Sequence, residues 1–305
     1  MLERGLEYLV ASQSQSGSWE NDAGVTGICV MALMSSGEDP NFGRYAESVR
    51  RGVRSMVRSQ SSGSGQIGSG MYQHGFAMLA LAECYGAVDE RMLAEDGEAP
   101  KRTVVEALEL AVRCAITSQE KNPFNAWRYS PSSTDADTSV SGAVLMGLLG
   151  ARNAGIAVPD VAIDDALAYF ESMTSSSGTV GYSGVASFGD SVARSSIAAL
   201  VACVGKRRGI GTFDALEGYV VKQKERLQSG SHPCYARYYL SQALFQLDHA
   251  AWKEWAALNT RDLVTRQESD GSLPMPGSFH GPSYQTGMLL LSSALGYTLL
   301  PIYER

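Results

Sequence analysis

Residues 5–36, GLEYLVASQSQSGSWENDAGVTGICVMALMSS, decide the fold. An amphipathic segment ends near Gln13, a Gly/Ser turn with an aromatic residue follows at Trp19, and an almost wholly apolar segment begins at Val25. An amphipathic segment predicts a helix with one face in water, whereas a wholly apolar segment predicts a helix that is buried on all sides. The stretch therefore predicts a hairpin of one outer and one inner helix.

The same unit returns five more times, at roughly 40- to 70-residue spacing, which fits one helical hairpin and a variable loop per repeat. Six such hairpins predict an all-α fold, an α/α toroid with inner and outer helical rings, as one domain over residues 1–305. An open solenoid is the alternative, but the last inner segment, 288–300, lacks a polar cap and favours ring closure. The inner-helix anchors of the six repeats are Gly27, Gly75, Gly142, Ser196, Tyr238 and Gly287.

Composition limits the classes of function. The chain has 305 residues, 44% of them hydrophobic, and a formal net charge of −7, which argues against a nucleic-acid partner. No apolar run is long enough for a membrane span, and no signal peptide is visible, so we favour a cytoplasmic protein while leaving the compartment open. The five cysteines are an odd number and lie mostly in apolar segments, which predicts reduced thiols.

Spaced glutamine, glycine and tryptophan residues carry a family resemblance. Gln13, Gly17 and Trp19 resemble the QW-type repeat of squalene and oxidosqualene cyclases. On this ground the chain resembles the terpenoid cyclase and protein prenyltransferase superfamily, including the prenyltransferase and squalene oxidase repeat proteins. The resemblance implies an α/α toroid that binds an isoprenoid or other apolar small molecule. The motif is echoed at Gln60 and Gly63, Gln119 and Trp127, and Gln267 and Gly271.

The resemblance also implies catalytic positions. Class II terpene cyclases protonate their substrate with an Asp-rich motif, and Asp135 and Asp137 lie at the corresponding place, although the motif is incomplete. Helix capping by Asp137 is the structural alternative. Prenyltransferases hold zinc with Asp, Cys and His, but here Ser139 and Ala236 stand where the Cys and the His would be. We therefore expect no metal and no cofactor.

A toroid gathers the N-termini of its inner helices at one end, where their dipoles favour an anion. This predicts that Asp22, Asp190 and His280 lie around one opening together with the candidate site residues. Pairing of the arginines with the aspartates in a structural network is the alternative. The candidate substrate-binding residues are Tyr72, His74, Trp127, Arg194, Arg237 and Tyr238.

Three functions remain open at this point. The first is an isoprenoid-related enzyme or a lipid-binding relative, as the resemblance implies. The second is a non-catalytic interaction or scaffold toroid with a protein partner, which predicts a centre filled by Phe76, Met78, Met146 and Tyr239. The third is a carbohydrate-active enzyme on an α/α barrel, which needs two carboxylates across a polar groove and is suggested by the Trp- and Tyr-containing loops.

Overall fold

The computed structural model describes residues 1–94, 100–184, 191–227, 232–278, 280–297 and 300–303. Over these residues the chain forms twelve α-helices and no β-strand. The outer helices are α1 (Leu2–Ser12), α3 (Ala46–Arg58), α5 (Val104–Lys121), α7 (Asp160–Ser172), α9 (Phe213–Val221) and α11 (His249–Arg266). The inner helices are α2 (Ala23–Met34), α4 (Met71–Cys84), α6 (Thr138–Asn153), α8 (Val192–Val204), α10 (Pro233–Leu247) and α12 (Pro282–Ala294).

The inner helices form a closed ring. Each contacts the next in the order α2, α4, α6, α8, α10 and α12, and α12 packs back against α2. Every outer helix packs against the two inner helices that flank it. The predicted α/α toroid is therefore confirmed, and the open solenoid is wrong.

The two rings differ in burial as the sequence pattern predicts. Every residue of α2 from Ala23 to Leu33 is buried, which is typical of a helix packed on both sides. In α11, by contrast, the buried residues form a single stripe along one side of the helix. They are Ala251, Trp252, Trp255, Asn259 and Leu263.

Glycines at the anchor positions allow the inner helices to approach one another closely. A Cβ atom on Gly27 would lie 2.8 Å from the carbonyl oxygen of Phe76 in α4. A Cβ on Gly75 would lie 2.5 Å from the backbone carbon of Ala143 in α6. Because contacts this short are sterically forbidden, the spacing of α2, α4 and α6 depends on these glycines.

Four glutamines connect neighbouring outer helices. Each lies at the end of an outer helix, and its Nε2 donates one hydrogen bond to a carbonyl of the following loop and one to a carbonyl at the start of another outer helix. In the first, Gln13 bonds Gly17 O and Ser48 O, both at 2.9 Å. In the last, Gln267 bonds Gly271 O and Met1 O, also at 2.9 Å, and so joins α11 to α1. We call Gln13, Gln60, Gln119 and Gln267 the glutamine links.

Inner-helix side chains fix the loops that precede them. The backbone N–H of Trp19 donates to the Thr26 hydroxyl at 3.1 Å, and that of Trp127 donates to the Ser141 hydroxyl at 3.0 Å. In the second repeat His74 takes this position, because its Nδ1 accepts from the N–H of Ile67 at 3.0 Å. These polar residues inside apolar helices are therefore loop anchors.

Glu20 completes the closure of the ring. Its carboxylate, in the first repeat, accepts hydrogen bonds from the N–H groups of Gly281, Ser283 and Tyr284 at 2.9–3.1 Å. The first turn of a helix has no intrahelical partners for these N–H groups, so Glu20 caps α12 from the other end of the sequence.

The described residues contain no helix that is both long enough and apolar enough to cross a membrane.

Candidate functional site

A cavity of about 730 Å³ lies at the N-terminal end of the inner helices. Its volume is within the usual range for a small-molecule site. All six inner helices contribute lining residues from their first turns or from the residues just before them, and most of these residues carry a polar group. The described lining residues are Asp22, Gly24, Val25, Ile28, Tyr72, Gln73, Phe76, Tyr129, Asp137, Ser139, Tyr182, Ser191, Val192, Ala193, Arg194, Arg226, His232, Tyr235, Ala236, His280 and Tyr284.

Asp137 presents one uncommitted carboxylate oxygen to this cavity. It is the N-cap of α6, where its Oδ1 accepts from the N–H groups of Ser139 and Val140 at 2.7 and 3.1 Å. The residue is 1% exposed, and its buried Oδ2 makes no hydrogen bond of standard geometry with the described residues, although the Tyr182 hydroxyl interacts with this carboxylate. Leaving a buried polar atom unpaired costs about 1–3 kcal/mol, so Oδ2 would gain from a hydrogen-bond donor placed in the cavity.

Asp22 occupies the equivalent place in the first repeat but is fully committed. Its Oδ1 accepts from the N–H groups of Gly24 and Val25 at 2.7 and 3.0 Å, and so caps α2. Its Oδ2 accepts from the Gln73 side chain. Of the two capping carboxylates that line the cavity, Asp137 is therefore the one with an oxygen available for chemistry.

Aromatic residues from opposite helices close the inner side of the cavity. Tyr72 of α4 stacks on Phe76 at 5.9 Å between ring centroids and meets Tyr235 of α10 edge-on at 5.9 Å. The Tyr235 hydroxyl donates to the carbonyl of Ser139 in α6 at 3.2 Å. The pKa values of Tyr72 and Tyr235 are raised, mainly by burial, so both hydroxyls stay protonated. The cavity thus has rigid ring faces beside hydrogen-bonding groups.

Tyr182 lines the cavity beside Asp137. Its hydroxyl is 2.9 Å from that of Tyr129. Its pKa is raised first by burial, and then by hydrogen bonding with the side chains of Asp137 and Tyr129. Its hydroxyl therefore stays protonated at neutral pH and can donate hydrogen bonds to a ligand or to the carboxylate.

Basic and titratable side chains line the cavity at the starts of α8, α10 and α12. Arg194 of α8 donates from Nε to the carbonyl of Val180 at 2.8 Å, and its guanidinium lies 6.0 Å from the Tyr182 ring centroid. His232 and His280 are exposed at the starts of α10 and α12. The pKa of His232 is lowered by burial and then by His280.

The structure brings together only some of the residues singled out from the sequence. Tyr72, Asp137 and Arg194, with Asp22 and His280, line the cavity. Asp135 is exposed, lies outside the lining and pairs with Arg128 at 3.0 Å. Asp190 lies outside the described residues.

The other four candidates are buried and serve the packing of the barrel. His74 is anchored between Ile67 and the Ala111 carbonyl, and burial lowers its pKa to about 4. The indole N–H of Trp127 donates to the Ala115 carbonyl at 2.8 Å. Arg237 pairs with Asp262 of the outer helix α11 at 2.7 Å, and not with the aspartates expected around the opening. Tyr238 packs behind Phe76, at 6.2 Å between ring centroids.

The four side chains expected to fill the centre are divided between the core and the cavity. Met78, Met146 and Tyr239 are buried in the core, whereas Phe76 lines the cavity. Side chains therefore fill the centre of the inner ring over part of its length, and the cavity lies at the N-terminal end of the inner helices.

Sequence reasoning missed Tyr129, Tyr182, Tyr235 and Tyr284. The last two follow the start of an inner helix by a few residues, so applying the ring-of-N-termini argument to every repeat would have found them. Tyr129 and Tyr182 lie in loops, where helical periodicity gives no signal. Among the described residues no group of three or more His, Cys, Asp or Glu is arranged to hold a metal ion.

Comparison with known proteins identifies the fold. No family model matches the chain, and no curated protein matches it in sequence. A family 76 glycoside hydrolase from a bovine Bacteroides thetaiotaomicron strain is similar in structure, with a TM-score of 0.69 and 11% identity over 97% of this chain and 77% of that one. A D-mannose isomerase is also similar, with a TM-score of 0.58 and 12% identity over 97% of each chain. At such identities the likeness establishes the fold alone.

The resemblance to terpenoid cyclases and prenyltransferases is wrong. The similar solved structures are carbohydrate-active α/α barrels instead. The glutamine links explain the error, because the Gln and Gly spacing meets a structural need of stacked helical hairpins rather than a need of isoprenoid chemistry. The comparisons give no support to an isoprenoid ligand.

Proposed function

We propose that the protein is a carbohydrate-active enzyme that binds a sugar in this cavity and uses Asp137 as a general acid or base. The observation that carries the proposal is the buried Asp137 carboxylate, which is fixed by helix capping at Oδ1 and uncommitted at Oδ2. The two similar solved proteins described above are named for reactions on sugars.

The lining offers both kinds of contact that a sugar makes. A sugar ring has apolar C–H faces and a rim of hydroxyl groups, so it binds best between aromatic faces and polar side chains. Tyr72, Phe76 and Tyr235 offer the faces. Asp22 and Gln73, which hydrogen-bond to each other, and Arg194 from another helix add carboxylate, amide and guanidinium groups to the lining. The lining thus combines aromatic faces with polar groups.

The chemistry available is proton transfer. The usual glycosidase mechanism needs two carboxylates, and here Asp22 is occupied by its cap and by Gln73. His232 and His280 supply a second titratable group on the other side of the cavity. Asp137 paired with an imidazole supports either cleavage of a glycosidic bond or proton movement between neighbouring carbons of a reducing sugar. Product analysis separates the two reactions.

The test is turnover by the wild type and by Asp137→Asn. Reducing monosaccharides, including D-mannose, and gluco- and manno-oligosaccharides are incubated with the protein, and products are followed by NMR. We expect Asp137→Asn to lower kcat by about 100-fold or more, because loss of a general acid–base group costs 10²–10⁴-fold. Asn caps helices as well as Asp does, so folding is retained.

Asp248→Asn is the matched control. Asp248 caps α11 through the N–H groups of Ala250 and Ala251 at 2.9 and 3.1 Å, the same geometry away from the cavity. It should keep wild-type turnover. Equal turnover by Asp137→Asn and wild type, or no turnover of any sugar by the wild type, would contradict the proposal.

A further inference from the structure

An exposed aromatic residue is held rigidly at the mouth of the cavity. Tyr129 lines the cavity and yet is 53% exposed. Its backbone carbonyl accepts from the N–H of Met71 at the start of α4 at 2.9 Å, and its hydroxyl meets that of Tyr182 at 2.9 Å. Both ends of the residue are therefore fixed while the ring stays accessible.

Arg128 braces the two tyrosines from the side. Its guanidinium lies 5.4 Å from the ring centroid of Tyr129 and 5.8 Å from that of Tyr182. The guanidinium is itself held by the Asp135 carboxylate and by the Ser183 hydroxyl, each at 3.0 Å. Asp135, which is outside the cavity, thus orients Arg128 and through it both rings.

Such bracing is unusual for a surface tyrosine. A solitary exposed aromatic side chain is common and needs no explanation. A ring whose hydroxyl, backbone and one flank are all fixed has lost its conformational entropy before any ligand arrives, which lowers the entropic cost of binding. Preorganised tyrosine with low residual entropy is typical of recognition surfaces. We call Arg128, Tyr129 and Tyr182 the tyrosine rim.

We propose that the tyrosine rim is a second sugar-binding subsite and that the substrate is an oligosaccharide of at least two units. This inference rests on the proposed function. One sugar unit enters the cavity beside Asp137, and the next stacks on the ring of Tyr129. Tyr182 contacts both places, since it lines the cavity and meets the Tyr129 hydroxyl.

The test compares affinities for sugars of different length. Isothermal titration calorimetry is run with D-mannose, mannobiose and mannotriose, and with D-glucose, cellobiose and cellotriose. For the series that binds, the wild type should bind the trisaccharide about tenfold more tightly than the monosaccharide, the gain expected from one added aromatic contact. Tyr129→Ala should reduce this ratio to about one, whereas Tyr129→Phe, which keeps the ring, should retain most of it.

Phe42→Ala is the control, because Phe42 is an 80% exposed aromatic residue that does not line the cavity. It should leave the ratio at its wild-type value. A ratio that is the same in the wild type and Tyr129→Ala overturns the subsite and leaves the proposed function standing. Binding of neither series by the wild type overturns both.

Discussion

Asp22, Asp137 and Asp248 each cap a helix by accepting hydrogen bonds from two backbone N–H groups with one carboxylate oxygen. They differ in the surroundings of the second carboxylate oxygen. Asp22 gives its Oδ2 to Gln73, and Asp248 caps an outer helix away from the cavity. Of these three, Asp137 is the one that combines capping with a buried oxygen in the lining. The sequence analysis treated helix capping and a role in the site as alternatives for Asp137. In the structure one carboxylate oxygen caps the helix and the other remains for the cavity, so the two roles are compatible.

The sequence could not choose between Asp135 and Asp137. The two are separated by a single residue, and the choice depends on how the preceding loop turns. In the structure the exposed Asp135 forms an ion pair with Arg128, while the backbone N–H of Asp137 donates a hydrogen bond to the Trp127 carbonyl at 3.0 Å. Both interactions are decided by loop geometry that no periodicity encodes.

His74 makes the stability of the protein sensitive to acid. Burial lowers its pKa to about 4, whereas in the unfolded chain it is near 6.5. Between these values the unfolded chain binds a proton that the folded chain does not. Stability is therefore complete above about pH 6.5 and falls as the pH drops toward 4. By pH 5 the loss amounts to about 2 kcal/mol.

Urea unfolding at pH 7.5 and pH 5.0 tests this expectation. The wild type should lose about 2 kcal/mol more than His74→Gln over this interval, because glutamine can accept from Ile67 N–H without titrating. His232 also has a lowered pKa but is present in both proteins, so its contribution cancels. Equal pH dependence in the two proteins would show that His74 is not the acid-sensitive group.

At the scale of elements, small residues set the spacing of the inner ring. The anchor glycines were found from the sequence because they recur in apolar helices where glycine is costly. Their partners could not be found in this way, because the contact of Gly75 with Ala143 joins two helices that are far apart in sequence. The sequence likewise showed the spacing of the glutamine links, but it did not show that each side chain bonds to another outer helix.

Glycine-to-alanine substitution should have opposite effects in the two rings. In α4, Gly75→Ala places a Cβ against the backbone of α6 and should destabilise the protein by about 1–3 kcal/mol through overpacking. In α9, Gly218 is exposed and an added methyl group there would meet no atom within 4 Å, so Gly218→Ala should stabilise by about 0.5–1 kcal/mol. Chemical denaturation of both variants measures the two effects. Destabilisation of equal size in both would show that the inner helices are not in tight contact.

At the scale of the whole molecule, closure depends on contacts between the first and last repeats. Glu20 caps α12, and Gln267 joins α11 to the start of α1. We expect Glu20→Ala to speed hydrogen exchange at the amides of Ser283 and Tyr284 by about tenfold, since each loses its acceptor.

Glu109→Ala, at an exposed position within α5, is the matched control for this exchange measurement and should leave those amides unchanged. Exchange at Ser283 and Tyr284 that is equally slow in Glu20→Ala would mean that α12 keeps its place in the ring without this cap.

The overall architecture was more predictable than the family. The alternation of amphipathic and apolar segments predicts which helices face water. Six repeats, of which the last ends in an apolar helix, predict a closed ring. The family was misassigned because Gln13 and its counterparts are needed by the barrel whatever it binds. The cavity lining was only partly predictable, since Tyr129 and Tyr182 reach it from loops.

The glutamine links have a consequence for the behaviour of the protein in different salt concentrations. They join amide groups to backbone carbonyls, so these four joints between outer helices carry no net charge. Dissolved ions weaken interactions between exposed charges, which at about 1 M salt are screened beyond roughly 3 Å, and leave neutral hydrogen bonds nearly intact. The Arg128–Asp135 pair of the tyrosine rim is charged and partly exposed. Ionic strength therefore acts on this pair at the mouth of the cavity and leaves the glutamine links nearly unchanged.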